Sequence, residues 1–400
     1  MTDPFVSIYE IVFQLTIRMV DSAEIVNDTE KLRKTLKLFE TIEQSTTPMS
    51  IVFPWMPTFA LIKRTIAGGR LYYLFKGIMD NRKKMNHRET DALQYHIDMG
   101  DDIKLIIQVW YSLTQGSFST FIVGAVFSGQ LNTGINASFM LTYIGSSRHW
   151  YNRVRAEIDA VLNKYAPDRS LPLRQRFEAI PIEAWESEFH LLDCCLKDSI
   201  RLQLLGTMYR RNIGTEDVKI GNELIPSGAF LVCVYVIFLS PSETNADHRP
   251  TISQMFNQDP NIYLEPLKWD PSRYFPGRAE DKKRPLCWIG WEAGRHPCLG
   301  TGVSFQFSFT PHRVFVLLYT SKSNLPQSSS TVLKLRFKFA KLEQLLIVSI
   351  FLTRFDYDTC DDKGIICDAI APPDLNAHSA TKPIAPIRLR LKSRDLKAQD

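Results

Sequence analysis

The chain has 400 residues, 44% of them hydrophobic and 23% charged, which supplies a buried core and excludes wholesale disorder or collagen-like repeats. Net charge is +5, from 48 basic and 43 acidic residues, with no long Lys/Arg block, so nucleic acid is not an expected partner. The seven cysteines form no Cys-x-x-Cys pair and follow no secretory leader, which points to reduced thiols facing the cytosol.

In chain order, residues 1–20 carry Asp3, Glu10 and Arg18 inside an apolar pattern and read as an amphipathic helix, not a signal peptide. Helices are predicted over 29–44, 71–84, 88–99, 150–165 and 182–204, with a mostly apolar stretch at 103–141 whose centre is Gly-rich. Beyond Gly206 the pattern shortens. Residues 208–213, 218–220 and 223–225 read as strands split by Gly, Asn and Pro, and a Pro- and Asp-rich coil fills 259–278. A Cys-bearing loop leads to an apolar helix at 339–351 and a closing strand at 387–392. The longest apolar runs, 228–239 and 345–352, fall short of the ~18 residues that span a bilayer.

The sharpest feature is Trp291-Glu-Ala-Gly294-Arg295-His296-Pro-Cys298-Leu-Gly300. It sets a Cys in a Gly-punctuated loop beside two cationic or hydrogen-bonding side chains, ahead of a helix. Such surroundings favour thiolate, a strong donor to a metal. Taken alone, a single Cys is more often a buried, inert thiol.

The loop resembles the haem-binding loop of the cytochrome P-450 family, Phe-x-x-Gly-x-Arg-x-Cys-x-Gly. Gly294, Cys298 and Gly300 match; Trp291 stands for the Phe, and His296 for the Arg that pairs with a haem propionate. Glu292 stands where many members have Gly. Three further stretches resemble the family in its order. Lys197-Asp198-Ser-Ile-Arg201 is similar to Glu-x-x-Arg, with a shorter acid expected to keep the charge but loosen its network. Trp269-Asp-Pro-Ser-Arg273-Tyr274 supplies the partner Arg, and Phe339-Ala-Lys-Leu-Glu343 resembles the helix after the loop. Residues 127–133, Phe-Ser-Gly129-Gln130-Leu131-Asn132-Thr133, lie where the family's central helix crosses the haem. Aligned on Gly129-Gln130, as in sterol demethylases, Asn132 takes the place of the oxygen-relay Thr. Aligned on the family's acid–Thr pair, Asn132 and Thr133 share that role.

The resemblance implies a mainly α fold with small β-sheets (α+β), the cytochrome P-450 fold, N-terminally truncated. Residues 1–400 would form one domain without its membrane anchor and first sheet. It implies haem b with Cys298 as axial iron ligand, held also by Trp291, Gly294, Arg295, His296 and Gly300, with Asn132 and Thr133 catalytic. The implied function is monooxygenation of a lipophilic sterol, terpenoid or other secondary metabolite, with electrons from NADPH-cytochrome P-450 reductase. The implied setting is a monomer on the cytosolic face of the endoplasmic reticulum membrane. Lys282, Lys283, Arg284 and Arg295 form the candidate cationic docking surface for the reductase, against the plainer reading of a solvated loop. Haem-thiolate isomerase or dehydratase chemistry, and a non-functional or mis-spliced member, are the alternatives. Three segments, near 109–120, 233–253 and 301–338, interrupt family-like motifs and read as insertions, as translated introns of a filamentous fungus would be.

Overall fold

The computed structural model describes the chain except for residues 21, 46, 48, 50–52, 54–55, 90, 99, 101–120, 204–207, 234–256, 292–297, 299–303, 311–312, 320–334, 337–338, 368–369, 375–381 and 395–400. Asp3 opens α1 (Pro4–Val20) by accepting the Phe5 N–H at 2.9 Å. Phe5, Ile8, Tyr9, Val12, Phe13 and Ile17 then bury at helical spacing. After the single turn α2 (Ala23–Val26), Asp28 caps α3 (Thr29–Gln44) by accepting from Glu30 and Lys31.

The next helix, α4 (Phe59–Met85), is capped by Thr58 and ends on Asn86 in the left-handed region at φ 50°. It begins twelve residues before the expected 71. Its first turns hide their period because Phe59, Ile62 and Ile66 are exposed while Ala67 and Gly68 bury. A short helix, α5 (Ala92–Asp98), follows.

The long helix α6 (Phe121–Gly145) is the spine, and α1 lies antiparallel along it. Gly134 permits the contact, since a Cβ there would sit 3.2 Å from the Tyr9 Cα. Ser138 fixes it by donating to the Pro4 carbonyl at 2.9 Å. On one side of the α1–α6 pair, Phe13, Phe39, Leu71, Phe75, Ile135 and Phe139 form a core with α3 and α4. On the other, Leu141 and Ile144 pack with residues of α7 (Arg148–Tyr165), α8 (Leu173–Glu178), α9 (Ile182–Ser187), α10 (His190–Gln203) and α11 (Phe339–Arg354).

The single helix expected over 182–204 is two, α9 and α10. The break is made by Glu157 of α7, whose carboxylate accepts the Leu191 and Leu192 N–H groups at 2.7 and 2.9 Å. These are unsatisfied first-turn donors of a new helix, and Glu157 caps them from a distant element. Phe189 fills the gap by stacking on Trp185 at 4.4 Å.

The strands are small and antiparallel. β1 (Met208–Arg211) pairs with β4 (Phe230–Cys233), and β2 (Val218–Ile220) with β3 (Glu223–Ile225). The excursion at 301–338 contains β5 (Ser304–Thr310), β6 (Arg313–Tyr319) and β7 (Leu335–Arg336), in the order β6-β5-β7. β8 (Phe355–Cys360) pairs with β9 (Arg388–Ser393), the expected closing strand. The segment 109–120 lies outside the described residues, as does 233–253 apart from Cys233.

Candidate active site

The C-terminal half of α10 holds the most heavily charged part of the interior. Asp198, Arg201 and Arg273 are each fully buried. Arg201 Nε donates to Asp198 at 2.6 Å, which satisfies the spacing expected of an i, i+3 acid–guanidinium pair. Its other nitrogens reach the carbonyls of Asn257 and Lys268, both at 3.0 Å. Asp198 also accepts the Asp270 N–H at 2.6 Å and the Tyr274 hydroxyl at 3.2 Å.

The shorter acid leaves one contact long: Arg273 Nε stands 3.7 Å from Asp198. Arg273 pairs instead with Glu280 at 3.1 Å and donates to the carbonyls of Glu265 and Lys268. Glu280, absent from the motif reading, is thus the second acid of the network. Its signal in the sequence is only its place seven residues after Arg273.

Trp269 and Trp288 carry the coil and the Cys loop onto α10. Trp269 Nε1 donates to the Ser199 hydroxyl at 3.1 Å, and Trp288 Nε1 to the Lys197 carbonyl at 3.2 Å. Gly290 makes the second contact possible, because a Cβ there would meet the Trp288 ring and the Ile200 side chain within 2.7 Å. Trp291 lies edge-on to Trp288, with centroids 6.4 Å apart. The Cys298 N–H then donates to the Trp291 carbonyl at 3.0 Å, closing the loop into a turn with Cys298 half-buried at its end. Gly294, Arg295, His296 and Gly300 lie outside the described residues.

Other cysteines have different surroundings. Burial pushes the Cys194 thiol up to about 12 and that of Cys195 well above its ordinary value, so both are inert protonated thiols. Cys298 is half-buried like Cys194 and Cys367, and is set apart by its place on the Trp291 turn.

α6 distinguishes between Asn132 and Thr133. Thr133 is 1% exposed, in the packed side of the helix with Gln130 and Ala137. Gly129 and Gly134 turn toward α1, against Thr16 and Tyr9. Asn132 is exposed. It shares a face with half-buried Asn136 and with Tyr143, since four and eleven residues both return the helix to nearly the same direction. Tyr143 marks what that face meets: it stacks on Trp269 at 5.4 Å and accepts from Gln203 of α10 at 2.5 Å. Asn132 therefore lies on the side of α6 that turns to α10, and Thr133 does not.

At the start of α11, Glu343 is 4% exposed, and neither of its oxygens has a hydrogen-bond partner among the described residues. Burial pushes its carboxyl up to about 8. Lys341, two residues earlier, offers no charge to it, being engaged by Asp193 at 3.0 Å.

No protein-family model matches the chain. It is 27% identical to the cytochrome P450 monooxygenase nsrP of Aspergillus novofumigatus over 384 residues, which are 95% of this chain and 62% of that protein. It is 26% identical to obtusifoliol 14-alpha demethylase of Sorghum bicolor over 66% of this chain and 47% of that protein. The retinoic acid-bound structure of cyanobacterial CYP120A1 superposes with a TM-score of 0.60 at 16% identity, covering 97% of this chain and 69% of that one. The chain is thus similar in sequence to curated cytochrome P450 monooxygenases and has the cytochrome P450 fold. It spans less than two thirds of the length of these curated relatives.

Within this cytochrome P450 fold, the described residues fit a haem. A half-accessible cysteine thiol is a soft donor suited to iron. It sits on a turn packed through two tryptophans onto a rigid, charge-locked helix. Among the described residues no helix is long and apolar enough to cross a membrane.

Proposed function

We propose that the chain is a haem-thiolate monooxygenase that inserts one oxygen atom from O2 into a lipophilic small molecule. The observation that carries this reading is Cys298, half-accessible and fixed by its backbone on the Trp291 turn. When bound, haem b would supply the oxygen chemistry, and the Cys298 thiolate is the side chain that would hold its iron. Arg295 and His296 are the side chains that would neutralise its propionates, and Gly294 and Gly300 would let the backbone approach the sulfur. The network of Asp198, Arg201, Arg273 and Glu280 has no contact with the reacting atoms; it holds the coil and the loop in place. Electrons would come from an NADPH-dependent reductase, and exposed Lys282 and Arg284 give it a cationic docking surface. Membrane association at the endoplasmic reticulum and action on sterols or secondary metabolites are part of the same proposal, and the likeness to sterol demethylases favours a sterol.

The experiment is haem reconstitution. The wild-type chain should take up haem stoichiometrically, and Cys298→Ala should lose the thiolate spectrum entirely while keeping the far-ultraviolet dichroism of the wild type. Equal haem spectra in both would refute the assignment of Cys298.

One observation favours a second reading. The accessible side chain on α6 is Asn132, while the hydroxyl of Thr133 is buried. An amide holds and orients a bound oxygen group but relays a proton poorly compared with a hydroxyl. This arrangement suits isomerisation or dehydration of an already oxygenated substrate. Turnover without NADPH is the expected result for that chemistry, and strict NADPH dependence is the expected result for monooxygenation.

A further inference from the structure

Two arginines of α4 stand eighteen residues apart, Arg64 and Arg82, which is five whole helical turns. They therefore share one direction, and Arg82, 3% exposed, shows that this direction is inward. Between them the same stripe is apolar and buried: Ala67, Gly68, Leu71, Phe75, Ile78 and Met79.

The two cations are treated in opposite ways. Arg82 is clamped by two acids, Glu24 at 2.5 Å and Asp91 at 2.6 Å. Arg64 is half-buried, and its Nε is shielded from solvent with no hydrogen-bond partner among the described residues. Among the described residues no carboxylate offsets its burial, which pulls its pKa below the ordinary guanidinium value. The sequence offers none nearby, since residues 45–79 contain no Asp or Glu. A half-buried guanidinium with an unsatisfied nitrogen beside an apolar wall is costly, and a ligand that supplies the counter-charge offsets that cost.

That wall reaches α6. The stripe packs in one cluster with Ile135 and Phe139 of α6, and Leu131, the neighbour of Asn132, packs on the same cluster. We infer that Arg64 anchors the carboxylate of the substrate, so that the lipophilic molecule proposed above is an organic acid. A planar guanidinium fork matches a carboxylate in a bidentate pair, and the apolar stripe accommodates the rest of the molecule. The inference rests on the haem-thiolate reading only for what is then done to the ligand; recognition of the acid does not depend on it.

The test is a fluorescence titration of the full chain with 9-anthracenecarboxylic acid and with its methyl ester, alongside haem content and melting temperature. Wild type should bind the acid about tenfold or more tighter than the ester. Arg64→Gln should erase that preference without weakening the ester, and Arg64→Lys should keep part of it. Because the Arg64 Nε has no hydrogen-bond partner among the described residues, Arg64→Gln should not lower the melting temperature. Equal binding of acid and ester by wild type, or an acid preference that survives in Arg64→Gln, would overturn the inference. So would a marked fall in melting temperature, which would make Arg64 a support of the fold. Failure to take up haem would count against the haem-thiolate reading and leave the acid–ester comparison intact.

Discussion

Asp198→Ala is expected to lower the unfolding free energy by about 3–5 kcal/mol, measured as a shift of the urea midpoint at unchanged slope. The reason is the charge it leaves behind. Asp198 accepts from Arg201, from the Asp270 N–H and from the Tyr274 hydroxyl, and it faces Arg273 at 3.7 Å. Removing it strands the Arg201 guanidinium in a fully buried site with only carbonyl oxygens for partners, while Arg273 keeps Glu280. The surface pair Arg174–Glu178 is the control. Both its side chains are well exposed, so breaking it should leave the urea midpoint nearly unchanged. A loss below about 1 kcal/mol for Asp198→Ala would show that the interior network is solvated or replaceable.

The second large effect is a dependence on pH. The Glu343 carboxyl is pushed up from an ordinary value of 4.5 to about 8 by burial alone. An acid whose folded-state value is raised binds more protons in the folded state than in the unfolded chain. Its contribution is therefore neutral at pH below about 4.5, becomes progressively destabilising as pH rises, and levels off above about 8. Each tenfold change in proton affinity is worth about 1.4 kcal/mol, so the full penalty is on the order of 4–5 kcal/mol. Glu343→Gln removes the ionisation at nearly constant shape. Relative to its own stability near pH 5, the variant should lose less than wild type as pH rises, and should exceed wild type by a few kcal/mol at pH 9. Parallel pH profiles for the two proteins would show that Glu343 is ionised and partnered at neutral pH.

Much of this is legible in the sequence where the signal is local. The amphipathic period over 29–44 defines α3 to the residue, and the Gly-bounded pieces at 218–225 are β2 and β3 as expected. The i, i+3 spacing of Asp198 and Arg201, with Arg273 downstream, announces the buried network. What stays hidden depends on contacts between distant elements. The break between α9 and α10 is made by Glu157, more than thirty residues away in sequence. The early start of α4 is carried by packing of Ala67 and Gly68, not by an amphipathic pattern.

The site shows the same division. Motif spacing points to Cys298, but the choice between Asn132 and Thr133 needs the rotation of α6, which is set by Tyr9 and Thr16 of α1. Arg64 and Arg82 look alike in the sequence. The positions of Glu24 and Asp91 separate a structural clamp from a guanidinium whose Nε has no partner among the described residues.

The central claim, a haem-thiolate centre on Cys298, is tested most directly by a carbon monoxide difference spectrum of the reduced, haem-reconstituted chain. The expected result is the strongly red-shifted Soret band of a thiolate-ligated iron, lost in Cys298→Ala. A Soret band characteristic of nitrogen ligation, or a thiolate band that persists in Cys298→Ala, would contradict it.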